Sequence, residues 1–309
     1  MFDARVHAEL ELAAGQAGIA EADLGRLTTL GCGGPAALLI ETDSAKRLAA
    51  VLAVTAAREI DWFIIGLGSN LLVADTGWDG LVIRLSGELK RCEALPGGKL
   101  SAGAGASLPR AAATAADAGL TGLEPLAAIP GTVGGAVAMN AGAWGTNIGD
   151  LVEQVEVCLP GESRLLEADS LTFSYRNCQL PPGCAVSRTV LAMTPDEPAA
   201  IRAAMQDYRR RREESQPIGE RTCGSVFRNP PGEKSAGELL AHAGCKGMVR
   251  GAAAVSTTHA NFIVNKVGAS ASDVIGLMDE CRRRVYEESG ISLEPEVRLL
   301  GEIELKPVQ

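Results

Sequence analysis

The pattern of apolar and polar positions predicts a chain in which helices and strands mix throughout. Residues 44–58 carry apolar side chains at helical spacing, and the apolar run 62–65 that follows predicts a short buried strand. The same patterns predict helices at 108–118, from 198 to about 214 and at 273–289, and strands at 71–73, 81–85, 152–159, 186–192 and 261–265. Ser272 is the predicted N-cap of the last helix, and Gly290 follows its end. The expected fold class is α+β or α/β.

Composition favours a protein of two domains. The 309 residues are 46% hydrophobic, which is enough to bury sizeable cores. Residues 1–199 hold 13 basic and 23 acidic side chains, whereas residues 200–309 hold 16 and 15, so the surplus of negative charge lies in the first part. This shift places a domain boundary near residue 199. The net charge of −9, without a basic stripe among aromatic residues, makes nucleic acid an unexpected partner.

No segment has the composition of a membrane span or a signal peptide. The longest uncharged stretch, 125–149, contains six Gly, two Pro and two Asn, so it is not expected to form a transmembrane helix. The first residues include an acid at position 3 and no apolar run behind it. We therefore expect a cytoplasmic protein without a membrane partner.

Cysteine and histidine spacing argues against a metal centre. The eight cysteines contain no C-x-x-C, so neither a zinc site nor a disulfide framework is predicted, and reduced, mostly buried thiols are expected. With three histidines and no H-E-x-x-H, metal-dependent hydrolysis and Ser-His-Asp catalysis are poorly supported.

Two glycine-rich runs are the first candidates for chemistry. The run 65–72, Ile-Gly-Leu-Gly-Ser-Asn-Leu-Leu, lies between two strand-like segments and would expose backbone N–H groups to an anion, although a plain tight hairpin is the alternative. The charge-free run 128–145 would let a ligand approach the backbone closely, although a glycine-packed turn explains it equally well by itself. Two such runs together favour a cofactor that carries a pyrophosphate.

These runs also occur in a known family. With the motifs Phe-Ser-Tyr-Arg at 173–176, Gly-Ser-Val-Phe-Arg-Asn-Pro at 224–230 and Leu-Glu-Pro-Glu-Val-Arg at 293–298, the chain resembles the UDP-N-acetylenolpyruvoylglucosamine reductases. Two further motifs, at 237–240 and 259–265, agree, and the resemblance spans about 27–302. It implies an α+β chain: an FAD-binding domain of the p-cresol methylhydroxylase/vanillyl-alcohol oxidase type at 1–199, with its core at about 30–198, and a smaller α+β substrate-binding domain at 200–309.

The resemblance implies a flavin reductase with noncovalent FAD and with NADPH as hydride donor. Hydride would pass to the enolpyruvyl group of UDP-N-acetylglucosamine-enolpyruvate and give UDP-N-acetylmuramate for peptidoglycan. The positions that match the family's cofactor-binding motifs are Gly66, Leu67, Gly68, Ser69, Asn70, Leu71, Pro130, Gly131, Thr132, Val133, Gly134, Asn140, Ala141 and Gly142.

Three matched positions would be catalytic. Arg176 would bind the substrate carboxylate, because a guanidinium stays charged and forms a fork with a carboxylate. Ser225 would protonate the α-carbon, and Glu296 would help to position and stabilise the intermediate. Alternation places Glu294 and Glu296 on one face, so periodicity does not choose between them and only the motif match selects Glu296.

Four further positions match the family's substrate contacts. Tyr175, Asn229, Lys246 and His259 match substrate-contacting positions, while a solvent-exposed role is the alternative for the last two. The arginine run 209–212 fits a solvated helix end better than a diphosphate site.

The chain departs from the family's Asn-Thr-Thr-x-Arg-x-Gly-Gly pattern, because Leu27 and Gly31 replace its Asn and Arg. Arg176 and Ser225 are 49 positions apart, as in the subclass without a long tyrosine-bearing insertion. The chain is expected to act as a monomer. The rival interpretations are an oxidase of the same fold with covalently bound flavin, and an FAD-binding paralogue without catalysis.

Overall fold

The computed structural model describes residues 2–308, which fold into two compact units. Unit one comprises residues 2–20, 38–67 and 80–211, and unit two comprises 21–37, 68–79 and 212–308. Two segments from the first third of the chain thus belong with the C-terminal residues. The division at residue 199 into ligand-specific domains stays a prediction.

The helices follow the apolar periodicity of the sequence. They are α1 (Ala4–Ala14), α2 (Ala45–Ala57), α3 (Leu108–Asp117), α4 (Val133–Ala138), α5 (Pro198–Ser215), α6 (Ala236–His242) and α7 (Ala271–Ser289). The strands are β1 (Ile19–Asp23), β2 (Pro35–Thr42), β3 (Trp62–Ile65), β4 (Leu71–Val73), β5 (Trp78–Leu85), β6 (Cys92–Leu95), β7 (Lys99–Gly103), β8 (Leu120–Thr121), β9 (Gly142–Ala143), β10 (Thr146–Asn147), β11 (Val152–Leu159), β12 (Glu162–Glu167), β13 (Thr172–Ser174), β14 (Asn177–Gln179), β15 (Ala185–Ala192), β16 (Thr194–Pro195), β17 (Arg221–Ser225), β18 (Val249–Arg250), β19 (Ala253–Val255), β20 (Phe262–Asn265) and β21 (Arg298–Leu300). The predicted helices and strands are confirmed: the bounds of β3, β4 and β11 are as predicted, and those of the others differ by one to three residues.

Unit one is built on two sheets. An antiparallel sheet has the strand order β12-β11-β15-β7-β6. A second sheet has the order β1-β2-β5-β3, in which β3 runs parallel to β5; most of β2, β3 and β5 belongs to unit one, whereas residues 21–23 of β1 belong to unit two. One buried cluster joins Leu48 and Leu52 of α2 to Val155 and Val157 of β11. Ser44 caps α2 by accepting the N–H of Arg47, as the polar residue before the apolar periodicity suggests.

Unit two has a smaller antiparallel sheet, in the order β17-β20-β19-β18, and a parallel pair, β21 with β4. Its own buried cluster includes Leu30, Leu72, Phe227 and Met278. The register of the parallel pair places Arg298 opposite Leu71. A segment from the first third of the chain therefore lies beside the motif that contains Glu296.

The start of α7 corrects one prediction. Ser270, not Ser272, is the N-cap: its Oγ accepts the N–H of Asp273, and Asp273 accepts the N–H of Ser270 in return. Ser272 instead donates its N–H and its hydroxyl to Asp75. The sequence Ser-Ala-Ser-Asp at 270–273 is itself a capping-box pattern, so the helix begins two residues before the apolar periodicity suggests. Gly290 ends the helix in the left-handed conformation, as predicted.

The tight hairpin that was the alternative for the first glycine run is excluded. Strand β3, before the run, pairs with β5, whereas β4, after it, pairs with β21. The two strands that flank the run therefore belong to different sheets, and the run is a connection and not a hairpin turn.

All eight cysteines are free, as predicted, and six of them are buried. Burial raises the pKa of Cys223 to about 12 and, with a smaller contribution from Asp75, that of Cys32 to about 11. These thiols are therefore protonated at neutral pH and poor nucleophiles.

Across residues 2–308, no helix combines the length and apolarity that crossing a bilayer would require.

Candidate active site

The two glycine runs meet in unit one. A Cβ added to Gly66 would lie 2.7 Å from Oγ1 of Thr132, so only glycine allows this approach. A small cavity of about 40 Å³ at this contact is also lined by Leu67, Arg84 and Lys90. Arg84 has a partner, since its Nη1 lies 3.6 Å from Oε1 of Glu41. The half-buried ammonium of Lys90 has none in residues 2–308, so the cavity favours an anion.

The backbone of the second glycine run is largely hydrogen-bonded within unit one. The N–H groups of Val133 and Gly134 donate to the carbonyls of Ala106 and Ala104, both at 2.8 Å, and the N–H of Gly135 donates to Oγ1 of Thr132. Because these three N–H groups already donate within the protein, they are not available to a ligand. The cationic side chains of Arg84 and Lys90, which the sequence motifs do not single out, supply positive charge here instead.

Asn140 connects the second glycine run to Arg176. Its side chain is buried, its Nδ2 donates to the carbonyl of Ser174 at 3.0 Å, and its Oδ1 accepts the N–H of Gly149 at 3.1 Å. Ser174 ends β13, and the two-residue turn that follows is Tyr175-Arg176. The Asn140 amide thus links Gly149 to Ser174, the residue directly before the turn that carries Arg176.

Arg176 is held in an uncommon backbone conformation. Its φ is +56°, in the left-handed region that few residues other than glycine adopt, and such positions are frequent in functional sites. Its guanidinium carbon lies 5.2 Å from the centre of the exposed Tyr175 ring, within the range of a cation–π contact. The turn therefore presents a cation and an aromatic ring together.

In unit two, Ser225 and Glu296 lie on neighbouring backbone segments. Ser225 ends β17 opposite Phe262, after an irregularity in the pairing that contains Gly224. The next residue, Val226, accepts the N–H of Glu296 at 2.9 Å. Nδ2 of Asn70 donates to the carbonyl of Glu296 at 3.1 Å, so part of the first glycine run is fixed to the same place. The structure thus brings Asn70 and the segment after Ser225 to Glu296, although Asn70 and Glu296 are 226 positions apart in sequence.

Asn261 positions the backbone after Ser225, a role that the sequence motifs do not indicate. Its buried side chain accepts the N–H of Phe227 at 2.9 Å and donates to the carbonyl of Phe227 at 2.8 Å, while its own carbonyl accepts the N–H of Val226. It therefore fixes the backbone directly after Ser225.

Replacing Asn261 by alanine should leave two buried backbone groups of Phe227 without partners. We expect the free energy of unfolding to fall by about 2–4 kcal/mol. Asn261→Asp keeps the acceptor but removes the donor, so it should also destabilise, and it adds a buried charge. Urea unfolding measures both variants. If the free energy of unfolding of both variants fell by less than about 0.5 kcal/mol, this role of the Asn261 amide would be contradicted.

The three remaining substrate-site candidates lie in unit two. Oδ1 of Asn229 accepts the N–H of Ala236 at the start of α6, and Nζ of Lys246 lies 3.5 Å from the carbonyl of Thr258. Nδ1 of His259 accepts the N–H of Asn261. Burial, with a smaller contribution from Lys246, lowers the pKa of His259. A neutral imidazole with its proton on Nε2 matches this hydrogen bond, so His259 supports the turn that holds Asn261.

The predicted site residues divide between the two units. Unit one holds Gly66, Leu67, Pro130, Gly131, Thr132, Val133, Gly134, Asn140, Ala141, Gly142, Tyr175 and Arg176. Unit two holds Gly68, Ser69, Asn70, Leu71, Ser225, Asn229, Lys246, His259 and Glu296. In the arginine run of α5, the exposed Arg210 and Arg211 pair with Asp207 of the same helix, as expected for a solvated helix end, whereas burial lowers the pKa of Arg212 to about 10, so the run is not solvated throughout.

Two family models match the chain in the order that the motifs suggest. Residues 36–168 match an FAD binding domain, and residues 216–300 match the C-terminal domain of UDP-N-acetylenolpyruvoylglucosamine reductase. The expected fold class, a mixed chain with an FAD-binding domain and a second, smaller domain, is confirmed.

Named relatives extend over most of the chain. A UDP-N-acetylenolpyruvoylglucosamine reductase of Granulibacter bethesdensis is 46% identical over 77% of this chain and 76% of its own. One of an Anaeromyxobacter species, strain Fw109-5, is 41% identical over 99% and 96%. The crystal structure of the reductase from Thermus caldophilus has a TM-score of 0.79 and 40% identity, and the match covers 92% of this chain and 98% of that one.

Proposed function

This chain belongs to the UDP-N-acetylenolpyruvoylglucosamine reductase family, and we propose that it reduces the enolpyruvyl ether of UDP-N-acetylglucosamine-enolpyruvate with NADPH through bound FAD. The observation that carries the proposal is identity of 41% over nearly the full length of a reductase of this name. A covalent flavin oxidase and a non-catalytic paralogue are not favoured by these relatives.

The residues of unit one fit a cofactor with a diphosphate. Gly66 allows the backbone to approach Thr132, and Arg84 and Lys90 line the cavity beside this contact. The ammonium group of a lysine and the guanidinium group of an arginine bind phosphate oxygens by charge-assisted hydrogen bonds. FAD held there would supply hydride transfer from NADPH to the β-carbon of the enolpyruvyl group.

Arg176 has the task of holding the substrate carboxylate. Hydride addition to the β-carbon leaves negative charge on the α-carbon and its carboxylate, and a guanidinium that stays charged stabilises that charge as it forms. The hydrogen bond from Asn140 to Ser174 holds the backbone before Arg176, and the Tyr175 ring contacts its guanidinium, so the group is partly positioned before substrate arrives. Less reorganisation is then needed during the reaction.

Ser225 donates the proton to the α-carbon, and Glu296 cooperates with Arg176 in positioning the intermediate. A hydroxyl is a weak acid, so the proton donor must be placed accurately. The hydrogen bonds of Val226 to Asn261 and Glu296 support that placement, because they fix the backbone on the carboxyl side of Ser225. Tyr175, Asn229, Lys246 and His259 contribute to binding of the nucleotide sugar.

The product places the protein in peptidoglycan precursor synthesis. We accordingly assign it to the cytoplasm, to cell-wall biogenesis and, through the wall, to cell shape, cell division and the cell cycle. It works as a monomer on a small nucleotide-sugar substrate and requires no nucleic acid. The acidic net charge of −9 supports the last point.

Product analysis tests the proposal. Wild-type protein incubated with NADPH and UDP-N-acetylglucosamine-enolpyruvate should give a product heavier by two hydrogen atoms, with one NADPH consumed for each molecule formed. Mass spectrometry and the absorbance of NADPH measure both quantities. NADPH consumption without that product, in the presence of oxygen only, would instead identify an oxidase.

A further inference from the structure

Unit two contains a wide pocket that the proposed mechanism does not use. Its volume is about 510 Å³, and its walls include Asp23, Arg26, Thr28, Thr29, Gly31 and Arg221. Two guanidinium groups and one carboxylate line it, and the thiol of Cys32 is neutral because burial raises its pKa to about 11. The pocket therefore has an excess of one positive charge.

Arg221 carries that uncompensated charge. Arg26 is paired, since its Nε lies 3.1 Å from Oδ2 of Asp23. The guanidinium of Arg221 is exposed, and within residues 2–308 it makes neither a hydrogen bond nor an ion pair. A guanidinium that lines a pocket of this size with no partner has all five of its donors available to a ligand.

The side chain of Arg221 lies over Gly31. A Cβ added to Gly31 would be 3.2 Å from Cδ and 3.4 Å from Nη1 of Arg221, and Gly31 has a φ of +74°. Gly31 is the position at which the related sequence pattern has an arginine. In this chain, an arginine from β17 occupies the space where a side chain at position 31 would begin.

The pocket is fixed to both candidate motifs of unit two. The N–H of Thr29 donates to the carbonyl of Gly68 at 3.1 Å, and its hydroxyl donates to the carbonyl of Thr222 at 2.6 Å. Gly68 belongs to the first glycine run, and Thr222 belongs to the strand that ends at Ser225. Thr29, which lines the pocket, therefore connects it directly to the predicted cofactor-binding run.

We propose that Arg221 and this pocket bind a phosphate group of a nucleotide ligand, with the charge supplied from β17 and not from position 31. The proposal rests on the proposed function only for the choice of nucleotide. A guanidinium forms two parallel hydrogen bonds to phosphate, and the glycines let a phosphate approach the wall. The phosphate belongs to NADPH or to the uridine diphosphate of the substrate, because the only diphosphate of FAD is assigned to unit one.

Direct binding distinguishes the two sources, and FAD is the control ligand whose binding should not change. Isothermal titration of Arg221→Ala with FAD (on flavin-depleted protein), with NADPH and with UDP-N-acetylglucosamine needs no turnover, so its outcome is independent of whether the proposed reaction occurs. We expect the dissociation constant of either NADPH or UDP-N-acetylglucosamine to rise about 10- to 100-fold, the loss typical of a charged hydrogen bond. Arg221→Lys keeps the charge but not the fork and should lie between Arg221→Ala and the wild type.

Arg283→Ala is the matched control, because Arg283 is exposed on α7 of the same unit and pairs only with neighbouring glutamates of its helix. It should bind all three ligands as the wild type does. Near-ultraviolet circular dichroism reports whether Arg221→Ala is folded. If the folded variant binds all three ligands within twofold of the wild type, the proposal is overturned. Weaker binding of FAD, alone or with the other two, would also overturn it, because the diphosphate of FAD is assigned to unit one.

Discussion

Ser225→Ala is expected to lower kcat for reduction of the enolpyruvyl substrate by about 10²- to 10⁴-fold, the usual contribution of a positioned general acid. Reduction of the flavin by NADPH should continue at nearly the wild-type rate, because the hydroxyl takes no part in it. Stopped-flow absorbance separates the two half-reactions. Ser225→Cys, which restores an acidic proton at this position, should recover part of the loss.

The structure makes this variant a clean test of proton donation. The backbone around Ser225 is fixed by hydrogen bonds of Val226 and Phe227 to Asn261, and none of these involves the Ser225 hydroxyl. Removing the hydroxyl should therefore leave the fold intact. Ser292→Ala, at an exposed position of the same unit, is the control and should turn over normally. Turnover of Ser225→Ala within threefold of the wild type would rule out the role.

Arg176→Ala is the second large effect that we expect. Loss of a group that stabilises developing negative charge costs about 3–4 kcal/mol in the transition state, or about 10²- to 10³-fold in kcat/KM. Arg176→Lys should recover only part of this, because an ammonium keeps the charge but does not form the two parallel hydrogen bonds of a guanidinium. Reduction of the flavin by NADPH is expected to be unaffected by either change.

The control for Arg176 is Arg164→Ala. Arg164 is exposed on β12 of the same unit and pairs with Glu162, so its loss should change neither half-reaction. The assignment of Arg176 to the substrate carboxylate would be wrong if Arg176→Ala slowed both half-reactions equally. That result would indicate that the Tyr175-Arg176 turn supports the cofactor and not the substrate.

Local features of the sequence were sufficient to predict four of the seven helices and six of the 21 strands in residues 2–308. Strand β11 has the predicted bounds, and α3 and α5 differ from prediction by a residue at one end, because apolar periodicity and flanking caps determine such segments locally. The N-cap of α7 lies two residues before the predicted one because Ser270 and Asp273 form a capping box, a pattern visible in the sequence, whereas Ser272 hydrogen-bonds Asp75, which lies 197 positions away. No local signal identifies such a partner.

In the candidate site as well, the sequence predicts some residues, and only the tertiary structure shows the others. Family motifs identified Arg176, Ser225 and Glu296, since their residue types and order are visible in one chain. The supporting contacts depend on tertiary structure: Asn261 hydrogen-bonds Phe227 from 34 positions away, and Lys90 lies with Gly66 in one cavity. Arg221 in turn was hidden, because the sequence shows only that Gly31 lacks a side chain and not which residue takes its space.

The visible spectrum of the purified protein tests the central claim most directly. Under anaerobic conditions, we expect a flavin absorbance band that bleaches when NADPH is added and returns when UDP-N-acetylglucosamine-enolpyruvate follows. Both half-reactions are then established in one cuvette. A band that bleaches but never returns with this substrate would contradict the substrate assignment, and a colourless protein that also fails to bind added FAD would contradict the account as a whole.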